Sequence, residues 1–222
     1  MHDRVRTRPR NQGNGEKVET IESRIIECGV ASFTLPGQTE SGDRHVVSFF
    51  PDGVLVAVLD GVGHGDEAAM AAQIASDILE DCASEPGITL IRRCHEALRS
   101  TRGVVMSLAS LDFAHDIMTW VGVGNVLGVL FRLKNPLGLG QEALLLRPGV
   151  VGAKLPALQA SALPISPGDT LIFATDGVKQ DFAEHCSPQE SPQKLAETIM
   201  ARNRRGNDDA LALVVRYTGS RV

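Results

Sequence analysis

The chain has 222 residues, 43% of them hydrophobic and 22% charged, with a formal net charge of −5, proportions that suit one sizeable globular domain. They exclude collagen-like, coiled-coil, intrinsically disordered and disulfide-scaffold classes, and no apolar run approaches the roughly 20 residues that cross a bilayer. Cys28, Cys82, Cys94 and Cys186 form no CxxC pair, which argues against a zinc site and a disulfide framework and favours a reducing, cytoplasmic location.

Residues 1–20 carry Arg4, Arg6, Arg8, Arg10 and Lys17 among Pro, Asn and Gly, and they predict a flexible basic N-terminal arm without the apolar core of a signal peptide. Removing these five cations, with Asp3, Glu16 and Glu19, from the totals of 22 and 27 leaves residues 21–222 with 17 basic and 24 acidic side chains. An acidic body of this kind argues against nucleic acid as a partner. Residues 24–35 predict a strand that stops at Pro36-Gly37, and 42–50 and 54–59 predict two antiparallel strands joined by Pro51-Asp52-Gly53. Helical spacing of Ala69, Ala72, Ile74, Ile78 and Leu79 predicts a helix over 66–83, with Asp66 and Glu67 opposing the dipole in its first turn; a second helix covers 88–100. The β-rich runs 104–111, 117–123 and 126–133 predict an antiparallel meander, followed by a strand over 170–175, a helix over 191–203 and a closing strand over 210–217. This order does not alternate as a parallel α/β sheet does, and it predicts packed antiparallel sheets with helices outside. The whole of 21–222 reads as one domain.

Three aspartates recur in one setting. Asp60 follows VLVAVL and precedes Gly61, Asp176 follows LIFAT and precedes Gly177, and Asp208-Asp209 precedes ALALVV. A carboxylate at the end of a buried strand is costly unless it is hydrogen-bonded, paired or bound to a cation. A single Asp-Gly is an ordinary turn signal, but several converging strand-end carboxylates form an oxygen-rich site for hard divalent cations.

The strings Val58-Leu59-Asp60-Gly61-Val62-Gly63-His64-Gly65, Phe173-Ala174-Thr175-Asp176-Gly177-Val178 and Asn207-Asp208-Asp209-Ala210-Leu211, with Ser41-Gly42-Asp43 upstream, resemble in order and spacing the metal-dependent protein serine/threonine phosphatases of the PPM family, in their SpoIIE-like branch. The resemblance spans about residues 24–217. It implies an α+β fold, an αββα sandwich of two antiparallel sheets flanked by helices, with two Mn²⁺ or Mg²⁺ ions at one edge. It further implies that Asp60 bridges both ions, that Asp43 and the Gly61 carbonyl complete one site, and that Asp176 and Asp208 hold the other. Two close cations lower the pKa of a shared water, so that no protein nucleophile is needed. Small size, the lack of a sensor domain, and the segments Thr101-Arg102-Gly103 and Val123-Gly124-Asn125-Val126 are most similar to the phosphatases that reset the stressosome. The implied partners are phosphorylated STAS-domain stressosome proteins (RsbS/RsbR-like).

This chain departs from the broader family pattern in several places. Gly124-Asn125 stands where many members have Gly-Asp, and an amide is a weaker ligand for a third cation. The residues just before the first acidic landmark are Glu40-Ser41-Gly42, where the wider family often has a phosphate-binding Arg; Arg44 follows it, and Arg102 is the other candidate for the phosphate. His64 is a candidate general acid because imidazole titrates near neutrality, although loop or supporting roles are open to it. Asp209 reads as a hydrogen-bonding support, and His45, His95, His115 and His185 as surface or packing residues. The alternatives to a phosphoprotein phosphatase are a non-catalytic module of the same fold that binds a phosphorylated partner and a hydrolase of small phosphate esters.

Overall fold

The computed structural model describes residues 10–12, 16–22, 25–133 and 140–219. Its strands and helices are β1 (Arg10–Gln12), β2 (Glu16–Glu22), β3 (Ile26–Phe33), β4 (Asp43–Phe50), β5 (Gly53–Gly61), α1 (Asp66–Asp81), α2 (Gly87–Ala97), β6 (Val104–Asp112), β7 (Ile117–Val123), β8 (Leu127–Phe131), β9 (Gln141–Ala143), β10 (Ser161–Pro164), β11 (Thr170–Ala174), α3 (Pro192–Asn203) and β12 (Ala210–Tyr217), with a 3₁₀ turn over Gln180–His185 before α3. One sheet runs β1-β2-β3-β12-β11-β8-β9 and the other β10-β7-β6-β5-β4, and every strand pairing within them is antiparallel.

Strand alternation assigns the layers. On β5, Val54, Val56 and Val58 enter the apolar layer between the sheets, whereas Leu55, Ala57 and Leu59 face α1 and α2. On β12, Leu211, Leu213 and Val215 join the same central layer, and Ala210, Ala212 and Val214 turn toward α3. Both strands are apolar on each face because each is covered on each face, and the result is the expected αββα sandwich. Helix α1 is rich in alanine, and its buried Ala68, Ala71, Ala72 and Ala75 let it lie close against β4 and β5. Ser191 caps α3, its side chain accepting from the Lys194 amide, and Pro192 occupies the first turn.

Two expectations differ from the structure. Of the flexible arm expected over residues 1–20, residues 1–9 and 13–15 lie outside the described ones; within it, Glu16–Glu22 pairs antiparallel with β3 from Glu16↔Phe33 to Glu22↔Glu27, and Arg10–Gln12 pairs with its beginning. Charged, short strands of this kind are common at the margin of a sheet, so composition alone cannot separate them from a solvated tail. The meander is also interrupted. β6 and β7 pair as expected, but β8 leaves them for β11 in the other sheet. The chain changes sheets at Gly124, which takes a φ of +97°, a conformation open to glycine at little cost. β9, β10 and the 3₁₀ turn were not foreseen; the two strands are three and four residues long, too short for a period to register.

Candidate metal centre

Asp43 opens β4 and Asp60 nearly closes β5, and the antiparallel register sets them directly opposite each other. Their side chains therefore lie on one face, within reach of one another. The other sheet contributes Asp176, two residues past the end of β11, and Asp208, two residues before β12. β4 lies over β12 and β5 over β11, so the sandwich brings all four carboxylates to one edge. Gly61 and Gly177 owe their identity to the same crowding. A Cβ at Gly61 would collide with the Ala68 carbonyl of α1, and one at Gly177 with the Asp209 carbonyl.

Around the carboxylates is a set of orienting hydrogen bonds. Thr175 Oγ1 donates to Asp43 Oδ2 at 2.7 Å and accepts from the Leu211 amide at 2.9 Å, tying β11 to both neighbouring landmarks. The buried Asp209 accepts from the Leu35 amide at 2.8 Å through Oδ1 and from the Gly42 amide at 2.7 Å through Oδ2. Both of its oxygens are thus spent on backbone, and it fixes the approach to Asp43. Asp208 is half-buried and accepts from the Asp209 amide at 2.9 Å. Asn125 Nδ2 donates to Asp176 Oδ2 at 2.8 Å, so the residue read as a poor ligand for a third cation acts here as a donor to a carboxylate.

The electrostatics call for positive charge. Burial, then the neighbouring carboxylate of Asp60, holds Asp43 well above the usual range, only partly opposed by Thr175. Burial, then Asp176, Asp208 and Asp209, pushes Asp60 up to about 8. Asp208 is raised, chiefly by burial. No cationic side chain among the described residues figures in the environment of Asp43 or Asp60. A hard, oxygen-only donor set of several carboxylates fits Mg²⁺ or Mn²⁺. Among the described residues no three His, Cys, Asp or Glu side chains are drawn into a finished cation cage, as expected of like charges that repel and of an Asp176 held by Asn125.

A pH dependence follows. In chelated protein, the folded state keeps a proton on Asp60 up to about pH 8, whereas the unfolded chain releases it near 4. Between these values the native state holds more protons, so stability is highest at the acid end and falls by about 1.4 kcal/mol per pH unit for each such proton. Thermal melts of chelated protein at pH 5, 6, 7 and 8 are expected to show a steadily declining Tm, and added Mn²⁺ should restore it most at pH 8. A Tm that rises over this range would remove the case for a raised Asp60.

The structure brings Asp43, Asp60, Gly61, Asp176 and Asp208 together. His64 is exposed on the loop after Asp60 and lies near enough to Asp208 to favour its charged form; its Nδ1 is 3.5 Å from Gln38 Nε2. Arg102 pairs with Glu67 and reaches over Gly63, whereas Arg44 pairs loosely with Glu40 on the other side of β4. Of the remaining histidines, His95 accepts from the Gly152 amide at 2.9 Å and His115 pairs with Asp112. The four cysteines are free. Thr175 is the functional residue that sequence reasoning left without a role. Its signal was present, since it is a hydroxyl at the end of an otherwise apolar buried strand.

Residues 51–218 match the family described as Stage II sporulation protein E (SpoIIE). The curated protein "Phosphoserine phosphatase RsbX" of Bacillus subtilis (strain 168) is 25% identical over 86% of this chain and 95% of its own length. A crystal structure of RsbX in complex with magnesium superimposes with a TM-score of 0.80 at 23% identity, covering 90% of this chain and 99% of that one. A chain from a study of the bacterial stressosome, a modular system adapted to control secondary messenger signaling, gives a TM-score of 0.77 at 27% identity over 86% of this chain and 99% of its own. The phosphatase domain of SpoIIE from Bacillus subtilis, at 17% identity and a TM-score of 0.70, shares the fold.

Proposed function

The chain belongs to the SpoIIE family, and from that premise we propose that it is a protein serine/threonine phosphatase working with two Mn²⁺ or Mg²⁺ ions. Asp43, Asp60, the Gly61 carbonyl, Asp176 and Asp208 hold the ions on this reading. The observation that carries it is the convergence of four strand-end carboxylates from two sheets on one edge, where burial and their mutual repulsion raise Asp43, Asp60 and Asp208. Bound there, the cations would supply a water acidic enough to attack phosphorus near neutral pH and would neutralise charge on the phosphoryl oxygens.

The chain's own residues supply placement and proton handling. Thr175 and Asp209 hold the Asp43 segment against β11 and β12, so that the edge is preorganised rather than assembled by the ligand. Arg102, exposed beside the Gly63 turn, is placed to meet a phosphoryl oxygen, and Glu67 steadies its guanidinium. His64 is the group available to give a proton to the departing seryl or threonyl oxygen.

The proposed substrates are phosphoserine and phosphothreonine on RsbS- and RsbR-like STAS-domain proteins of a cytoplasmic stressosome. The similarity to RsbX and to a stressosome-study chain supports this choice. Among the described residues no helix is long and apolar enough to cross a membrane. The full chain with Mn²⁺ is expected to release phosphate from a phosphorylated STAS scaffold and from an aryl phosphate, both stopped by chelator. Aryl phosphate turnover with an untouched scaffold would remove the stressosome assignment and leave the chemistry. Binding of the phosphoscaffold with no turnover of either substrate would make the protein a non-catalytic binder.

A further inference from the structure

The two sheets are unequal at the catalytic edge. The second sheet ends at β4, which lies over β12, whereas the first continues outward through β3 to β2 and β1. The place over the C-terminal half of β3 therefore has no opposing strand. A cleft of about 540 Å³ occupies it. Val30, Ser32 and Thr34, which share one face of β3 and the residues just after it, line its floor; β4 forms one wall and α1, through Ser76, the other. Asp43 lies in the lining, so the cleft runs into the carboxylate edge.

The chemistry of the walls selects the occupant. Gly61 N–H donates to the Gly42 carbonyl at 3.0 Å, which sets the alternation along β4 so that Val47, in step with Asp43, turns its amide and carbonyl away from β5. Among the described residues no strand pairs with β4 on that side. The floor is an apolar residue followed by two hydroxyls, and the Nε of Arg44, another lining residue, is buried without a hydrogen-bond partner. A small apolar ligand would leave the Arg44 nitrogen unmet and offer nothing to the outward amide and carbonyl of Val47, whereas an extended polypeptide offers amides and carbonyls at strand spacing.

We propose that the cleft beside β4 receives an extended segment of the phosphoprotein substrate, about four residues long, which takes the missing strand position over β3 and delivers the phosphorylated residue to the Asp43 end. This rests on the phosphatase reading and adds how that site chooses a protein over a small ester. Arg44 then finds its acceptor in a carbonyl or an acidic side chain of the segment.

The test uses the full chain with Mn²⁺ and two substrates, an aryl phosphate and a phosphoserine peptide with four flanking residues on each side. Ser32→Trp and Thr34→Trp each fill the floor and replace no carboxylate of the metal edge. The expected result is a fall of tenfold or more in kcat/KM on the peptide, mostly through KM, with aryl phosphate turnover within twofold of wild type and an unchanged Tm. Two bulky variants at separate positions guard against one that fails to fold. Equal turnover of the peptide by wild type and both folded variants would overturn the docking proposal while leaving the phosphatase reading intact. A gain in peptide turnover on removing residues 1–9 would assign the cleft to the chain's own N-terminus and would also overturn it. Failure of wild type to hydrolyse the aryl phosphate would instead remove the phosphatase reading, and this proposal with it.

Discussion

Asp60→Asn is expected to lower turnover by at least about 10³-fold, an effect of ~4 kcal/mol on the barrier, while raising the Tm of chelated protein at pH 8. The two changes have one origin. Asp60 is the most central carboxylate of the edge, acted on by Asp176, Asp208 and Asp209 and pushed up to about 8. An amide of the same volume removes that repulsion and the cost of burying a charge, but it is a poor ligand for a hard cation. Activity and metal-free stability should therefore move in opposite directions. A variant that loses both has lost its fold, and one that keeps full turnover in Mn²⁺ would end the binuclear proposal.

Asp208→Asn and Asp209→Asn should separate two roles held by adjacent residues. Asp208 is half-buried and accepts only from its neighbour's amide, so its amide variant should lose turnover strongly with little change in Tm. Asp209 is buried and accepts from two backbone amides of the segment that enters β4. Asparagine there keeps one acceptor and turns an NH₂ group toward a donor it cannot accept from. Leaving a buried amide unpaired costs roughly 1–3 kcal/mol, or a Tm drop of roughly 2–12 °C at this chain length. Circular-dichroism melts and Mn²⁺-dependent phosphate release on the same preparations would decide it. A stable Asp209→Asn with lost turnover, beside a destabilised Asp208→Asn, would mean that the ligand and the support are exchanged.

Much of this edge was legible before any coordinates. Apolar runs ending in Asp-Gly mark places where a strand leaves the core with a charge attached, and burial makes such a charge expensive enough to need a reason. That argument works residue by residue along the chain, and it found Asp60, Asp176 and the Asp208-Asp209 pair. The order within that pair came from the family resemblance, which implies Asp208 as the ligand. Thr175 escaped the burial argument because a hydroxyl carries no charge to explain, although its bond to Asp43 joins positions 132 residues apart.

Local pattern thus decided most of the long strands, the three helices and three of the acidic landmarks, since each depends on periodicity or burial cost within a few residues of chain, while Asp43 came from the family resemblance. Which sheet each strand joins was decided only in three dimensions. β7 and β8 read alike, and β8 departs for β11 because the Gly124 turn and the apolar faces of both sheets must be satisfied together. The pairing of Glu16–Glu22 with β3 is likewise a matter of neighbours, as a charged outer strand and a solvated tail share one composition. The opening over β3 belongs to no residue's sequence context. It exists because one sheet outruns the other, and strand number and stacking are properties of the assembled sandwich.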